Sequence, residues 1–97
     1  MEALKKHIRY EVFGHVQGVF FRKYTKTQAQ KLGLTGWVEN TPRGTVIGEA
    51  EGPSDKIEEF KHWLRNIGSP KSRIDDLRIT NETDISQLKF HSFSVKK

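Results

Sequence analysis

The sequence predicts an α+β fold of the order βαββαβ: an antiparallel sheet, two helices on one face of it, and an added C-terminal strand. Three observations carry this. Stretches that alternate apolar and polar residues are interleaved with two stretches in which apolar residues recur every three or four positions. Glycine or proline punctuates most of the junctions between them. The chain has 97 residues, so the elements are expected to close a single domain, residues 1–97, burying roughly two-thirds of the unfolded surface around one core.

The first strand is expected from His7 to Gly14, with Ile8, Tyr10 and Val12 on one face and Arg9, Glu11 and Phe13 on the other. A helix follows from Arg22 to Leu32, its apolar stripe formed by Phe21, Thr25, Ala29 and Leu32 and its end marked by Gly33. LTGWVENT reads as the second strand, TPRG as a turn with Pro42 and Gly44 suited to its corners, and Thr45 to Glu51 as the third strand, so that these two strands form a hairpin. In GPSDKIEEFKHWLRNIGSP, Ser54 is expected to cap a second helix. Asp55, Glu58 and Glu59 suit its positive end, and Ile57, Phe60, Trp63, Leu64 and Ile67 form its buried stripe. Gly68 and Pro70 stop it. A fourth strand is expected over Ile74–Thr80. A fifth is expected over Leu88–Val95, where the apolar parity shifts between Phe90 and Phe93 and suggests a bulge or bend. This order belongs to the ferredoxin-like class, with the strands expected side by side as 4-1-3-2.

Lys and Arg outnumber Asp and Glu by 17 to 12, a balance that suits negatively charged partners without naming one. The absence of cysteine excludes a disulfide framework, a thiolate zinc site and a thiolate nucleophile. MEALKKHIRY lacks the apolar run of a signal peptide, and no stretch has the length of a membrane span, so a cytoplasmic protein is expected.

Residues 14–25, GHVQGVFFRKYT, join the first strand to the first helix. Gly14 and Gly18 permit the backbone angles of a tight turn whose N–H groups converge into an anion nest, backed by a helix N-terminus. Arg22, in the first helical turn, leans back over that loop and can grip two phosphate oxygens at once. The same pattern also fits an ordinary glycine-flanked turn with a solvated arginine, and geometry alone leaves both open. Known phosphate loops are excluded: GxxxxGK[ST] is absent, GHVQGV matches GxGxxG poorly, and a Cys-x5-Arg register would put its nucleophile at Val16.

YEVFGHVQGVFFRKYT resembles the signature of the acylphosphatase family, roughly GxVQGVxFR before an amphipathic helix. LTGWVENTPRGTV matches that family's second block, G-x-V-x-N-x-x-x-G-x-V, and EGP and GSPKSRI extend the resemblance over nearly the whole chain. Phe20 stands where some members have cysteine. The resemblance implies hydrolysis of acyl phosphates to a carboxylate and inorganic phosphate. It implies that Arg22 and the backbone amides of His15, Val16, Gln17, Gly18, Val19 and Phe20 bind the phosphoryl group, and that Asn40 orients the attacking water. Gly14 would support the loop and Thr41 would support Asn40. No metal or cofactor is expected. The implied partners are small acyl phosphates, glycolytic and carbamoyl phosphates among them, and aspartyl-phosphate intermediates of ion pumps. The protein is expected to be a monomer that neither binds nucleic acid nor inserts in membranes.

The remaining residues invite plainer readings. A role for the His15 side chain as nucleophile or acid is disfavoured, because its backbone amide suffices for binding. His7, His62 and His91 are scattered over three elements, and Asp75 and Asp76 point to opposite faces of a strand. Lys23 and Lys26 could add positive potential around the site's entrance, but solvated helix charges are the preferred reading; Trp37 fits either the sheet or the site. The rival RNA-recognition module shares the βαββαβ order but stacks bases on third-strand aromatics. The aligned stretch here, Arg43 to Ala50, has Thr45, Ile47 and Ala50 at those positions. A non-catalytic phosphate-binding domain is the other alternative, disfavoured by the presence of both Arg22 and Asn40.

Overall fold

The computed structural model describes residues 4–96; of the expected domain, residues 1–3 and 97 lie outside the described residues. The elements are β1 (Lys5–His15), α1 (Phe21–Lys31), β2 (Thr35–Asn40), β3 (Val46–Pro53), α2 (Ser54–Asn66), β4 (Arg73–Ile85) and β5 (Phe93–Val95). The strands lie in the order β4-β1-β3-β2-β5. The expected ferredoxin-like arrangement is therefore present, with β5 added beyond β2. The added strand runs parallel to β2 while every other pairing is antiparallel, which makes the sheet mixed.

One face of the sheet carries Ile8, Tyr10 and Val12 of β1, Val38 of β2 and Val46 and Ala50 of β3, all at or near complete burial. Both helices close over that face. Phe60 of α2 meets the Tyr10 ring edge-on at 5.8 Å and Phe93 of β5 at 6.0 Å, and Phe21 of α1 lies 5.8 Å from Trp63 of α2. The α1 stripe of Phe21, Thr25 and Ala29 is buried as expected. The helix ends at Gly33 in a Schellman turn, in which Leu34 N–H donates to the Ala29 carbonyl and Gly33 N–H to that of Gln30.

Four expectations need correction. Ser54 does not cap α2: it is the first helical residue, its N–H donates to the Leu4 carbonyl, and Pro53 occupies the cap position without a side-chain bond. Ile67 is 57% exposed and not part of the buried stripe, because α2 ends before it and turns it outward. The fourth strand continues past Thr80 to Ile85, since its polar half still finds backbone partners along Lys5–Arg9 of β1. The fifth begins only at Phe93, because the N–H groups of Lys89 and Phe90 donate to the buried Glu51 carboxylate and not to a neighbouring strand.

A charge network ties β1, α2 and β4 together. Lys6 Nζ lies 2.8 Å and Lys61 Nζ 2.9 Å from the two carboxylate oxygens of Glu82, and Lys61 lies 3.0 Å from Glu58. Hydrogen bonds from Lys6 and then Lys61 hold the Glu82 carboxyl below its usual value of 4.5. A depressed folded-state pKa contributes stability above the unfolded value and loses it as pH falls through the folded one. Glu82→Gln is expected to lower stability by up to about 1 kcal/mol at neutral pH. Urea midpoints should show the deficit shrinking as pH drops below 4.5; a deficit independent of pH would assign it to packing.

Candidate active site

The loop of residues 16–20 leaves β1 beside a bulge, where the pairing with β4 slips between Phe13 and Gly14. Gly14 has φ 129°, and a Cβ there would lie 2.1 Å from the Arg73 carbonyl oxygen, so no larger residue fits. Gly18 has open space around it and is needed only for its φ of 75°. Phe20 adopts a left-handed conformation, φ 60° and ψ 25°, and its carbonyl accepts the Tyr24 N–H as α1 begins. Val16 and Val19 turn into the core and anchor the loop from below. None of the loop, turn and cap bonds among the described residues uses the N–H of any residue from 16 to 20 as donor. A row of backbone donors left unpaired by the protein requires water or a ligand to satisfy it.

A groove of about 470 Å³ opens over this loop, lined by Val16, Gly18, Phe20, Phe21, Arg22, Lys23, Lys26, Asn40 and Val95. Asn40 reaches it because residues of β2 alternate faces: Val38 and Asn40 both point to the helix side. The order β1-β3-β2 separates Asn40 from the loop in the sheet, yet the end of β2 and the start of α1 meet at one edge of the groove. Asn40 Oδ1 is buried with no hydrogen-bond partner. The hydroxyls of Thr35 and Ser69 share that condition, but neither lines the groove.

Arg22 donates from Nη1 to the Lys96 carbonyl at 3.0 Å, which directs the guanidinium along the groove. Among the described residues Arg22, Lys23 and Lys26 make no ion pair, and no acidic side chain lines the groove. The groove thus combines unpaired N–H donors, three cations and one unpaired amide oxygen: the chemistry of an anion site with a place for a polar nucleophile.

Of the residues singled out in the sequence, the groove brings together Val16, Gly18, Phe20, Arg22 and Asn40, and with them Lys23 and Lys26, which line it and are not merely solvated helix charges. His15 ends β1 opposite Arg73 with an exposed side chain and does not line it. Gly14, Val19 and Thr41 stand behind the lining. The Thr41 hydroxyl serves the β2–β3 turn and not Asn40: it hydrogen-bonds the Thr45 hydroxyl at 2.6 Å and accepts the Arg43 N–H. Trp37 lies on the opposite face of the sheet, its Nε1 donating to Glu49, which His7 also contacts at 2.6 Å.

Sequence reasoning missed the side chain of Gln17. Its Nε2 donates to the carbonyls of Thr41 and Thr45, both at 2.9 Å, pinning the loop to the turn that follows Asn40. The signal was an amide, with its two donors, and a turn whose two carbonyls can each accept a second bond beside the backbone N–H they already hold, but only folding brings them together. Gln17→Ala is expected to lose about 1 kcal/mol of stability for the two side-chain bonds removed, since both carbonyls keep a backbone N–H partner, and to lower turnover because Asn40 loses its fixed relation to the loop. Urea unfolding and initial rates on one preparation check both.

The acylphosphatase family model matches residues 8–95. Acylphosphatase-2 of Gallus gallus is 54% identical over 91 residues, covering 94% of this chain and 88% of its own length. Acylphosphatase-2 of Homo sapiens is 52% identical over 91 residues, covering 94% and 92%. Among solved structures, an acylphosphatase from Coxiella burnetii aligns with a TM-score of 0.83 at 34% identity, over 96% of this chain and 94% of that one.

Proposed function

The chain belongs to the acylphosphatase family, and from that premise we propose that it hydrolyses the carboxyl–phosphate bond of small acyl phosphates, releasing a carboxylate and inorganic phosphate. The observation that carries the reading is the convergence on one groove of an unpaired amide loop, the Arg22 guanidinium and the unpartnered Asn40 oxygen.

In this reading the N–H groups of residues 16–20 and the Arg22 fork hold the phosphoryl oxygens, with His15 contributing at most its backbone amide. Asn40 Oδ1 accepts a hydrogen bond from a water and aims it at phosphorus. The water oxygen bonds to phosphorus as the bond from phosphorus to the acyl oxygen breaks, and that electron pair leaves on the carboxylate. The water's proton passes to the phosphate. A leaving group whose conjugate acid has a pKa of about 4 departs without a general acid. A loose phosphoryl-transfer transition state asks chiefly for positioning and charge stabilisation, so no metal, cofactor or covalent intermediate is invoked.

The same reading makes residues 1–97 one catalytic domain, monomeric and cytoplasmic, acting on small acyl phosphates and on aspartyl-phosphate intermediates of ion pumps. No helix among the described residues is long and apolar enough to cross a membrane. On the sheet face away from the helices β3 carries Ile47, Glu49 and Glu51 and no aromatic ring, so the third-strand stacking platform of an RNA-recognition module is missing.

Initial-rate hydrolysis of benzoyl phosphate in EDTA, beside a phosphate monoester, tests the proposal. Turnover that ignores the chelator and spares the monoester is expected. A folded protein that binds phosphate without turning over benzoyl phosphate would be the non-catalytic alternative.

A further inference from the structure

Phe20 is unfavourable twice over where it stands. It is the only non-glycine residue with positive φ among those described. Its side chain, 72% exposed, is also the most exposed large apolar group among them. Glycine would make the same backbone turn without strain, so the loop's shape does not account for a phenyl ring. Outliers of this kind collect at ligand sites.

The ring lines the groove, and so does Val95, which is 37% exposed. The other apolar lining residues, Val16 and Phe21, are each 1% exposed and belong to the core. An acyl phosphate whose phosphoryl oxygens fill the amide nest must extend its acyl group toward the groove's mouth. Phe20 and Val95 are the apolar side chains there with surface still to bury.

We propose that Phe20, with Val95, forms the acyl-selecting wall of the groove and favours acyl phosphates bearing aromatic acyl groups over those bearing small ones. The inference rests on the proposed hydrolysis of acyl phosphates. A phenyl ring stacked edge-on or offset against Phe20 leaves water on both faces that meet, whereas a methyl group covers little of either. Because this contact lies away from the bond that breaks, it is made equally in ground and transition states and appears chiefly in KM.

The test is kcat/KM for benzoyl phosphate and for acetyl phosphate on the wild-type chain, Phe20→Ala, Phe20→Tyr and Val95→Ser. The benzoyl-to-acetyl ratio is expected to fall about tenfold in Phe20→Ala, mostly through KM for benzoyl phosphate. It should fall in the same direction but less in Val95→Ser, and return in Phe20→Tyr. An unchanged ratio, or equal losses on both substrates, overturns the inference and reduces Phe20 to a residue of loop conformation. If the wild-type chain hydrolyses both substrates and the ratio stands, only this inference falls. If it hydrolyses neither, the proposed function falls with it.

Discussion

Arg22→Ala is expected to lower kcat/KM for benzoyl phosphate by roughly 100- to 1000-fold, the usual cost of removing one preorganised charge-stabilising group. Inorganic phosphate should weaken as a competitive inhibitor in parallel, because in the proposed mechanism the guanidinium contacts the phosphoryl group before and during transfer. Arg22 is half-buried on the helix surface, so the variant should fold normally. Its guanidinium is held by the Lys96 carbonyl at 3.0 Å, which reduces the entropy lost when a phosphate docks. Lys23 and Lys26 share the groove but present point charges, without the planar fork that matches two phosphate oxygens. Arg22→Lys should for the same reason recover only part of the loss. Activity within a few-fold of wild type in folded Arg22→Ala would remove Arg22 from the site.

Much of this arrangement was legible in the sequence because it follows from local rules. Alternation in Ile8, Tyr10 and Val12, and helical spacing in Ile57, Phe60, Trp63 and Leu64, each identify a buried face without reference to the rest of the molecule. The glycine-bearing loop before Arg22 could be placed at a helix N-terminus on the same grounds. The misses share another cause: each is decided by a partner distant in sequence. Ser54 lost its capping role to the Leu4 carbonyl, and Leu88–Ser92 lost strand pairing to the Glu51 carboxylate. The length of β4 was set by its partner β1; β4 is an edge strand and needs no apolar alternation to keep its ladder. The Gln17 clamp joins residues 24 and 28 positions apart, and the left-handed Phe20 contradicts its own conformational preference. Asn40 was reached only through resemblance to a family. The parity of β2 would have put it on the helix side, but nothing local says that α1 begins beside it.

Asn40→Ala should separate binding from turnover. The expected result is a loss of roughly 100- to 1000-fold in kcat with the affinity for inorganic phosphate unchanged, since in the proposed mechanism Asn40 addresses the water and not the phosphoryl oxygens. Asn40→Asp sharpens the distinction: it keeps an acceptor for the water but adds a negative charge to a groove that has none, so phosphate affinity should fall with turnover. Stability supplies an independent readout. Asn40 Oδ1 has no hydrogen-bond partner in the protein, so truncating the side chain breaks no bond between that oxygen and the scaffold. Only the packing of a short side chain at the groove is lost, so the thermal midpoint of Asn40→Ala should fall little. A residue with a merely structural role would behave in the opposite way, losing stability along with activity. An unstable Asn40→Ala with proportionate losses in rate and phosphate binding would therefore mark Asn40 as part of the scaffold. A stable, phosphate-binding, inactive variant would mark it as the group that aims the water.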